Sequence, residues 1–290
     1  MASSPYADLD RPPLAARALQ RALVVPGGVW QRLDVVGETG STNADVSLAA
    51  SDGAAEGLVV VAEQQLAARG RRDRQWVSPA RAGLTLSVLL RPGVAVPERG
   101  WVAAPQRSWG WLPLLAGVAL REAVARITEL DVALKWPNDL LVPRDGDESM
   151  GKAAGILAEV VGDAVVVGIG LNVSTRAEEL PGTNGLPATS LLVAGAKSTD
   201  RDPLLKALLR GLAQWYQGWR EAGGDAEMCG LLAAYERDCS TLGRRVRVLL
   251  PDGGEMSGEA VSVDGDGQLV IRTDDGAERR VSAGDVLHVR

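Results

Sequence analysis

The chain has 290 residues, 46% of them apolar, and a net charge of −6. That length suits one large domain or two, with enough apolar side chains to bury a core. One histidine, His288, and two cysteines, Cys229 and Cys239, leave no partners for a Ser-His-Asp triad, a Cys-His dyad, a histidine-ligated zinc or a CxxC pair.

Any chemistry must therefore run on Arg, Lys, Asp, Glu, amides and backbone, with a metal only if a substrate brings one. The acidic balance argues against nonspecific nucleic-acid binding. Two cysteines ten positions apart do not make a secreted disulfide scaffold, so free buried thiols in a reducing cytoplasm are expected. No run approaches the roughly 20 apolar residues of a membrane span, and acids stand where a signal peptide would carry basic residues. No membrane partner is expected.

Along the chain, residues 1–33 hold Pro5, Pro12, Pro13 and Pro26 around a helical run at 14–24. This short extension is too small for a helix-turn-helix module, so no DNA-binding domain and no specific nucleic-acid partner are expected. GSTNADV from Gly40 offers Ser41, Thr42 and Asn43 either as ligand groups or as caps of a helix starting near Asn43. Apolar β-branched runs follow at 58–62 and 84–90. Between them lies ARGRRDRQW, with Arg69, Arg71, Arg72 and Arg74 beside Gly70 and Trp76. That loop reads either as a solvated charged turn or as guanidinium forks next to an aromatic plane, suited to a nucleotide.

The clearest helix spans 112–127, where Leu115, Val118, Ala119, Glu122 and Arg126 have three-and-four spacing. KWPNDLLV, from Lys135, places Pro137, Asn138 and Asp139 at the head of a strand at 140–142; locally this fits an Asx turn as well as a ligand site. GDESMGK, from Gly146, matches GxxxxGK, but Ala153 replaces the metal-binding hydroxyl and Asp147 and Glu148 are badly placed for phosphate, so a P-loop NTPase is disfavoured. Lys152 enters an apolar run at 156–161, followed by another at 164–169. VVVGIGLNV puts Gly168, Gly170 and Asn172 at a strand end without the third glycine of a dinucleotide fingerprint. A second helix covers 203–221. The interleaving lacks a regular βαβ rhythm and predicts α+β with a mixed sheet. After Thr241, five short strand-like runs separated by PDGG, DGDG, DDG and AGD predict a small β-barrel of hairpins.

The order GSTNADV, EQQLAARGRRDRQW with a following Ser-Pro, KWPNDLLV, GKAAGILAE and GIGLNV resembles the biotin protein ligases over about residues 34–290. The resemblance implies a short extension (1–33), a mixed-sheet catalytic domain binding biotin and ATP (34–240) and an SH3-like barrel (241–290), without the repressor domain that some members carry. By position it implies biotin contacts at Ser41, Thr42, Asn43, Gln65, Arg69, Gly70, Arg71 and Lys152. It implies ATP or adenylate contacts at Arg69, Arg71, Arg74, Trp76, Asn138, Lys152 and Asn172, with Lys152 and Arg71 catalytic. The family's loop usually reads GRGRxGR; here Ala68 and Asp73 stand at glycine positions, which stiffens the loop. The implied reaction activates biotin with ATP, accompanied by Mg²⁺, to biotinyl-5′-AMP. Biotin then passes to a lysine of a biotin carboxyl carrier domain of acyl-CoA carboxylases. A lipoate or octanoate ligase or transferase of the same superfamily is the alternative, and a nucleic-acid binder built on the arginine loop is a rival of another class.

Overall fold

The computed structural model describes residues 11–71, 75–144, 147–182, 186–250, 253–282 and 284–288. The chain order is α1 (Ala16–Leu23), β1 (Arg32–Val36), α2 (Thr42–Ser51), β2 (Leu58–Ala62), β3 (Gly83–Leu90), α3 (Trp111–Thr128), β4 (Ala133–Lys135), β5 (Asp139–Arg144), β6 (Asp147–Val161), β7 (Ala164–Asn172), α4 (Arg201–Glu221) and α5 (Leu231–Asp238). Then follow β8 (Arg245–Leu249), β9 (Glu255–Val263), β10 (Leu269–Arg272), β11 (Glu278–Val281) and β12 (Asp285–His288).

Seven strands form one sheet in the order β1-β2-β3-β7-β6-β5-β4. β1 runs parallel to β2 and the other neighbours pair antiparallel, so the sheet is mixed, as the sequence implied. Its inner strands are buried on both faces, which explains continuous apolar runs such as LVVVA and GLTLSVLL. α3 and α4 pack on one face around the main core. Twelve of the eighteen residues of α3 are buried, because it lies between the sheet and α4. Its burial therefore wraps beyond the stripe read from the sequence; Arg126 is exposed, and Glu122 instead accepts from Trp215 Nε1 at 3.1 Å.

The other face carries α2, whose Val46 and Ala50 cover Leu58, Val60, Leu89, Ala164 and Val166. α2 starts at Thr42, with Ser41 as its N-cap. The first described residues pack into the main core through Leu19, Leu23, Trp30 and Leu33. Glu63 fixes them there: it accepts from the Leu14 amide at 2.6 Å and from Arg201 at 2.7 Å.

β6 runs through Gly151 and Lys152 without a break. An extended strand where a phosphate-binding loop would turn into a helix removes the P-loop reading; Gly146 itself lies outside the described residues.

The second sheet is antiparallel, in the order β11-β10-β9-β8-β12. It is a meander whose last strand returns beside the first, as the five turn-separated runs predicted. It docks on two tryptophans of the larger unit. Trp111 Nε1 donates to the Gly265 carbonyl at 2.9 Å and Trp136 Nε1 to that of Gly267 at 3.2 Å. The approach is close: a Cβ on Gly110 would stand 2.5 Å from the Asp266 carbonyl oxygen.

Candidate active site

The part of the sheet face that α2 leaves open forms a cavity of about 920 Å³, floored by β6 and β7 and bounded on one side by Leu249, Gly284, Val286, Leu287 and His288 of the second sheet. Ser41, Thr42, Asn43, Gln65, Arg69, Gly70, Arg71, Trp76, Asn138, Lys152 and Asn172 all line it. Arg74 lies outside the described residues, with Arg72 and Asp73.

The floor is shaped by glycines. Gly155 and Gly170 are register partners on β6 and β7, and the Trp76 indole lies across them, so a Cβ on Gly170 would meet Trp76 Cε2 at 2.7 Å. Trp76 Nε1 is buried without a hydrogen-bond partner. Gly168 makes room for Asn43, whose Oδ1 would be only 2.0 Å from an added Cβ.

At one end is a cluster of hydroxyls and amides. Gln65 Oε1 accepts from the Thr42 backbone N–H at 2.7 Å. Thr42 Oγ1 and Ser87 Oγ are 2.7 Å apart, and Ser87 Oγ donates to Asn43 Oδ1 at 2.6 Å. Asn43 Nδ2 donates to Glu159 at 2.5 Å and to the Leu157 carbonyl at 3.4 Å. Ser41 accepts from the Ala44 amide at 3.5 Å as the cap of α2, while Thr42 and Asn43 lie along the cavity wall.

Cations gather around Asp139. Lys152 Nζ is 2.6 Å from Asp139 Oδ1, and Lys135 Nζ is 3.9 Å from Oδ2. The Lys152 backbone is held by 187–189: its N–H donates to the Pro187 carbonyl at 2.8 Å, and its carbonyl accepts from Thr189 at 3.0 Å. The arginine loop is closed at its base by the Trp76 amide donating to the Ala68 carbonyl at 3.0 Å. Arg71 leaves that loop to donate to Asn138 Oδ1 and to the Gly284 carbonyl, both at 3.2 Å.

Asn138 does not close a turn on itself. Its Nδ2 donates across to the Ile156 carbonyl at 2.9 Å while its backbone carbonyl accepts from the Ile156 amide. Asn172 Nδ2 donates to the Thr189 carbonyl at 3.0 Å, leaving its buried Oδ1 without a partner.

Three groups here were not singled out from the sequence as functional. Asp139 looked like a turn residue, and it pairs with Lys152 across β5 and β6, whose register shifts between Leu140 and Leu141. Ser87 sits with Thr85 in an otherwise apolar run, and its signal is a polar residue opposite Gly168 in the β3–β7 register. His288 lines the cavity; burial, aided by the positive charges of Lys135 and Arg244, lowers its pKa from 6.5 to about 4. The cysteines stand apart: both are free thiols whose pKa values burial raises. Among the described residues no group of three His, Cys, Asp or Glu is placed to hold a metal. Chemically, the arrangement offers a slot with paired donors and acceptors at one end and cations at the other.

Comparisons with known proteins bear on the family and the fold. Residues 39–174 match the model of the biotin/lipoate A/B protein ligase family, and residues 241–289 that of the biotin protein ligase C terminal domain. A biotin–acetyl-CoA-carboxylase ligase of Mycobacterium tuberculosis is 43% identical, covering 98% of both chains. The bifunctional ligase/repressor BirA of Bacillus subtilis is 29% identical, covering 86% of this chain and 71% of that one. The biotin protein ligase of Aquifex aeolicus, solved with biotin and ATP, superposes with a TM-score of 0.69 at 27% identity, covering 90% of this chain and all of that one.

Proposed function

The chain belongs to the biotin protein ligases, and from that premise we propose how its cavity divides the work of activating biotin and passing it on. It is an ATP-dependent ligase with biotin and ATP as substrates. In the proposed sequence, the biotin carboxylate attacks the α-phosphorus of ATP, forming biotinyl-5′-AMP and releasing pyrophosphate. An acceptor lysine amine then attacks the acyl carbon and AMP leaves. Neither displacement needs an enzyme nucleophile, so the protein's task is to align reactants and neutralise charge.

Lys152 is the central cation, offsetting the repulsion between carboxylate and α-phosphate. One observation carries this assignment: Lys152, anchored by 187–189 and paired with Asp139, presents its ammonium to a cavity also lined by amides, hydroxyls, arginines and Lys135. Ser41, Thr42, Asn43 and Gln65 take the ureido head of biotin, with Gly168 making room for Asn43 and Gly155 and Gly170 for the Trp76 indole. Arg69, Gly70 and Arg71 lie along its carboxyl end. Trp76 offers a plane for adenine, and Arg69, Arg71, Asn138 and Asn172 hold the adenylate; Arg74, outside the described residues, is assigned with them from the sequence alone. Mg²⁺ arrives as part of the nucleotide substrate.

The acceptor is a carboxyl carrier partner, and we assign it more narrowly to the biotin carboxyl carrier domain of acyl-CoA carboxylases. Residues 34–240 carry the chemistry; the described part of 241–290 closes the cavity over it, and the described part of 1–33 braces the fold. No helix among the described residues is long and apolar enough to cross a membrane, and we place the reaction in the cytoplasm, where ATP and the carrier meet.

Pyrophosphate release from ATP, with and without biotin and followed by transfer to a carrier domain, tests the scheme. Release should require biotin, and Lys152→Ala should lower it by orders of magnitude with an unchanged circular dichroism spectrum. Release without biotin, or near-normal release by the variant, overturns it.

A further inference from the structure

We infer that Ser87, which does not line the cavity, is a positioning residue that sets the direction of hydrogen bonding in the biotin-recognition cluster. This rests on the assignment of the ureido head to Thr42 and Gln65. The argument starts at Asn43. One edge of its amide faces the Leu157 carbonyl and the Glu159 carboxylate, both acceptors, so that edge must be the NH₂ group. Its Oδ1 then faces Ser87, and the single Ser87 proton is committed to it at 2.6 Å.

With its proton used, Ser87 Oγ can only accept from Thr42 Oγ1, 2.7 Å away. The Thr42 hydroxyl proton therefore points down to Ser87, although Gln65 Oε1 lies 3.0 Å from the same oxygen. Gln65 Oε1 accepts from the Thr42 backbone N–H at 2.7 Å, which turns that oxygen towards Thr42 and the Gln65 NH₂ group away from it. Thr42 thus presents lone pairs to the cavity and Gln65 presents N–H donors. A cyclic urea has a carbonyl acceptor flanked by N–H donors, which is the complement of that pair. Ser87 is fully buried and Thr42 3% exposed, so water does not compete to reorient the chain.

Without Ser87 the Thr42 proton is free to turn towards Gln65 or the cavity, where it opposes a urea N–H. The test is calorimetric binding of biotin and of dethiobiotin, which keeps the urea and lacks the sulfur, with steady-state kinetics. Ser87→Ala should weaken both ligands by a similar factor of about ten or more. The KM for ATP should stay within twofold and kcat at saturating biotin within threefold. Ser87→Cys fills the space with a weak donor and should show the same split if the alanine variant fails to fold. Thr42→Ala and Gln65→Ala report separately on the ureido assignment. If they lose biotin while both Ser87 variants bind it within twofold of the parent, the role of Ser87 is overturned; equal rises in KM for ATP and biotin also overturn it. If Thr42→Ala and Gln65→Ala bind normally, the ureido assignment itself fails.

Discussion

Arg71 donates at once to Asn138 and to the Gly284 carbonyl, so one guanidinium pins the arginine loop to the strand head and to the second sheet. A planar fork suits such a bridge better than an ammonium would. Arg71→Gly should let biotinyl-5′-AMP escape faster, read as labelling of bystander lysines on an unrelated protein; unchanged retention of the adenylate counts against this role. His288 makes a pH prediction. Its pKa falls from 6.5 to about 4 in the folded protein, so the unfolded chain takes up the proton first. The stability linked to its neutral form is present above pH 6.5 and is lost as pH falls towards 4. His288→Gln should lack this loss, so its Tm relative to the parent should rise between pH 7 and pH 4; a constant difference contradicts the linkage. Single residues with strong local chemistry, such as Lys152 and the arginines, were legible in the sequence. Ser87, Asp139 and His288 were not, because what each does depends on a partner brought from a distant strand.

At the scale of elements, β6 and β7 supply a floor whose shape is fixed by where side chains are missing. Gly168→Ala would drive a methyl group into the Asn43 amide at 2.0 Å, and Asn43 is held by Ser87 and Glu159. Overpacking at such a site costs about 1–3 kcal/mol, so a lower Tm together with weaker biotin binding is expected. Gly170→Ala meets the Trp76 indole instead, a side chain carried by the arginine loop rather than by the sheet or α2. It should change tryptophan fluorescence with a smaller loss of Tm, and equal Tm losses for the two variants would refute the distinction. The strands at 58–62 and 84–90 were readable because apolar β-branched runs mark strands buried on both faces. β1, β4 and α5 were missed. Arg32–Val36 has a single buried residue among its five and Ala133–Lys135 is three residues long, so neither carries enough periodicity to register.

For the whole molecule, the N-terminal segment, the sheet and α4 meet at Glu63 and Arg201, whose side chains are 10% and 5% exposed. Arg201 also donates to the Pro12 and Gly83 carbonyls at 2.6 and 3.2 Å. Arg201→Met leaves the Glu63 carboxylate with only the Leu14 amide among the described residues and should cost about 3–5 kcal/mol, seen as a lower urea midpoint. An unfolding free energy within about 0.5 kcal/mol of the parent would show that Glu63 finds another partner. The mixed sheet and the five-stranded second sheet were visible as changes of texture along the chain. Their docking was not, because it relies on Trp111 and Trp136 reaching carbonyls of a DGDG turn, and indole partners leave no local pattern.

The hydrogen bond from Arg71 to Gly284 spans 213 positions of sequence, which bears on the order of events in folding. Contacts between residues so far apart form only after the intervening chain has collapsed, since closing a longer loop costs more entropy before any contact rewards it. Local hairpins such as β6–β7 need no such wait. After dilution from urea, far-ultraviolet ellipticity should therefore recover ahead of the capacity to retain an adenylate, so a freshly collapsed chain would look native to a spectrometer before it could hold its ligand.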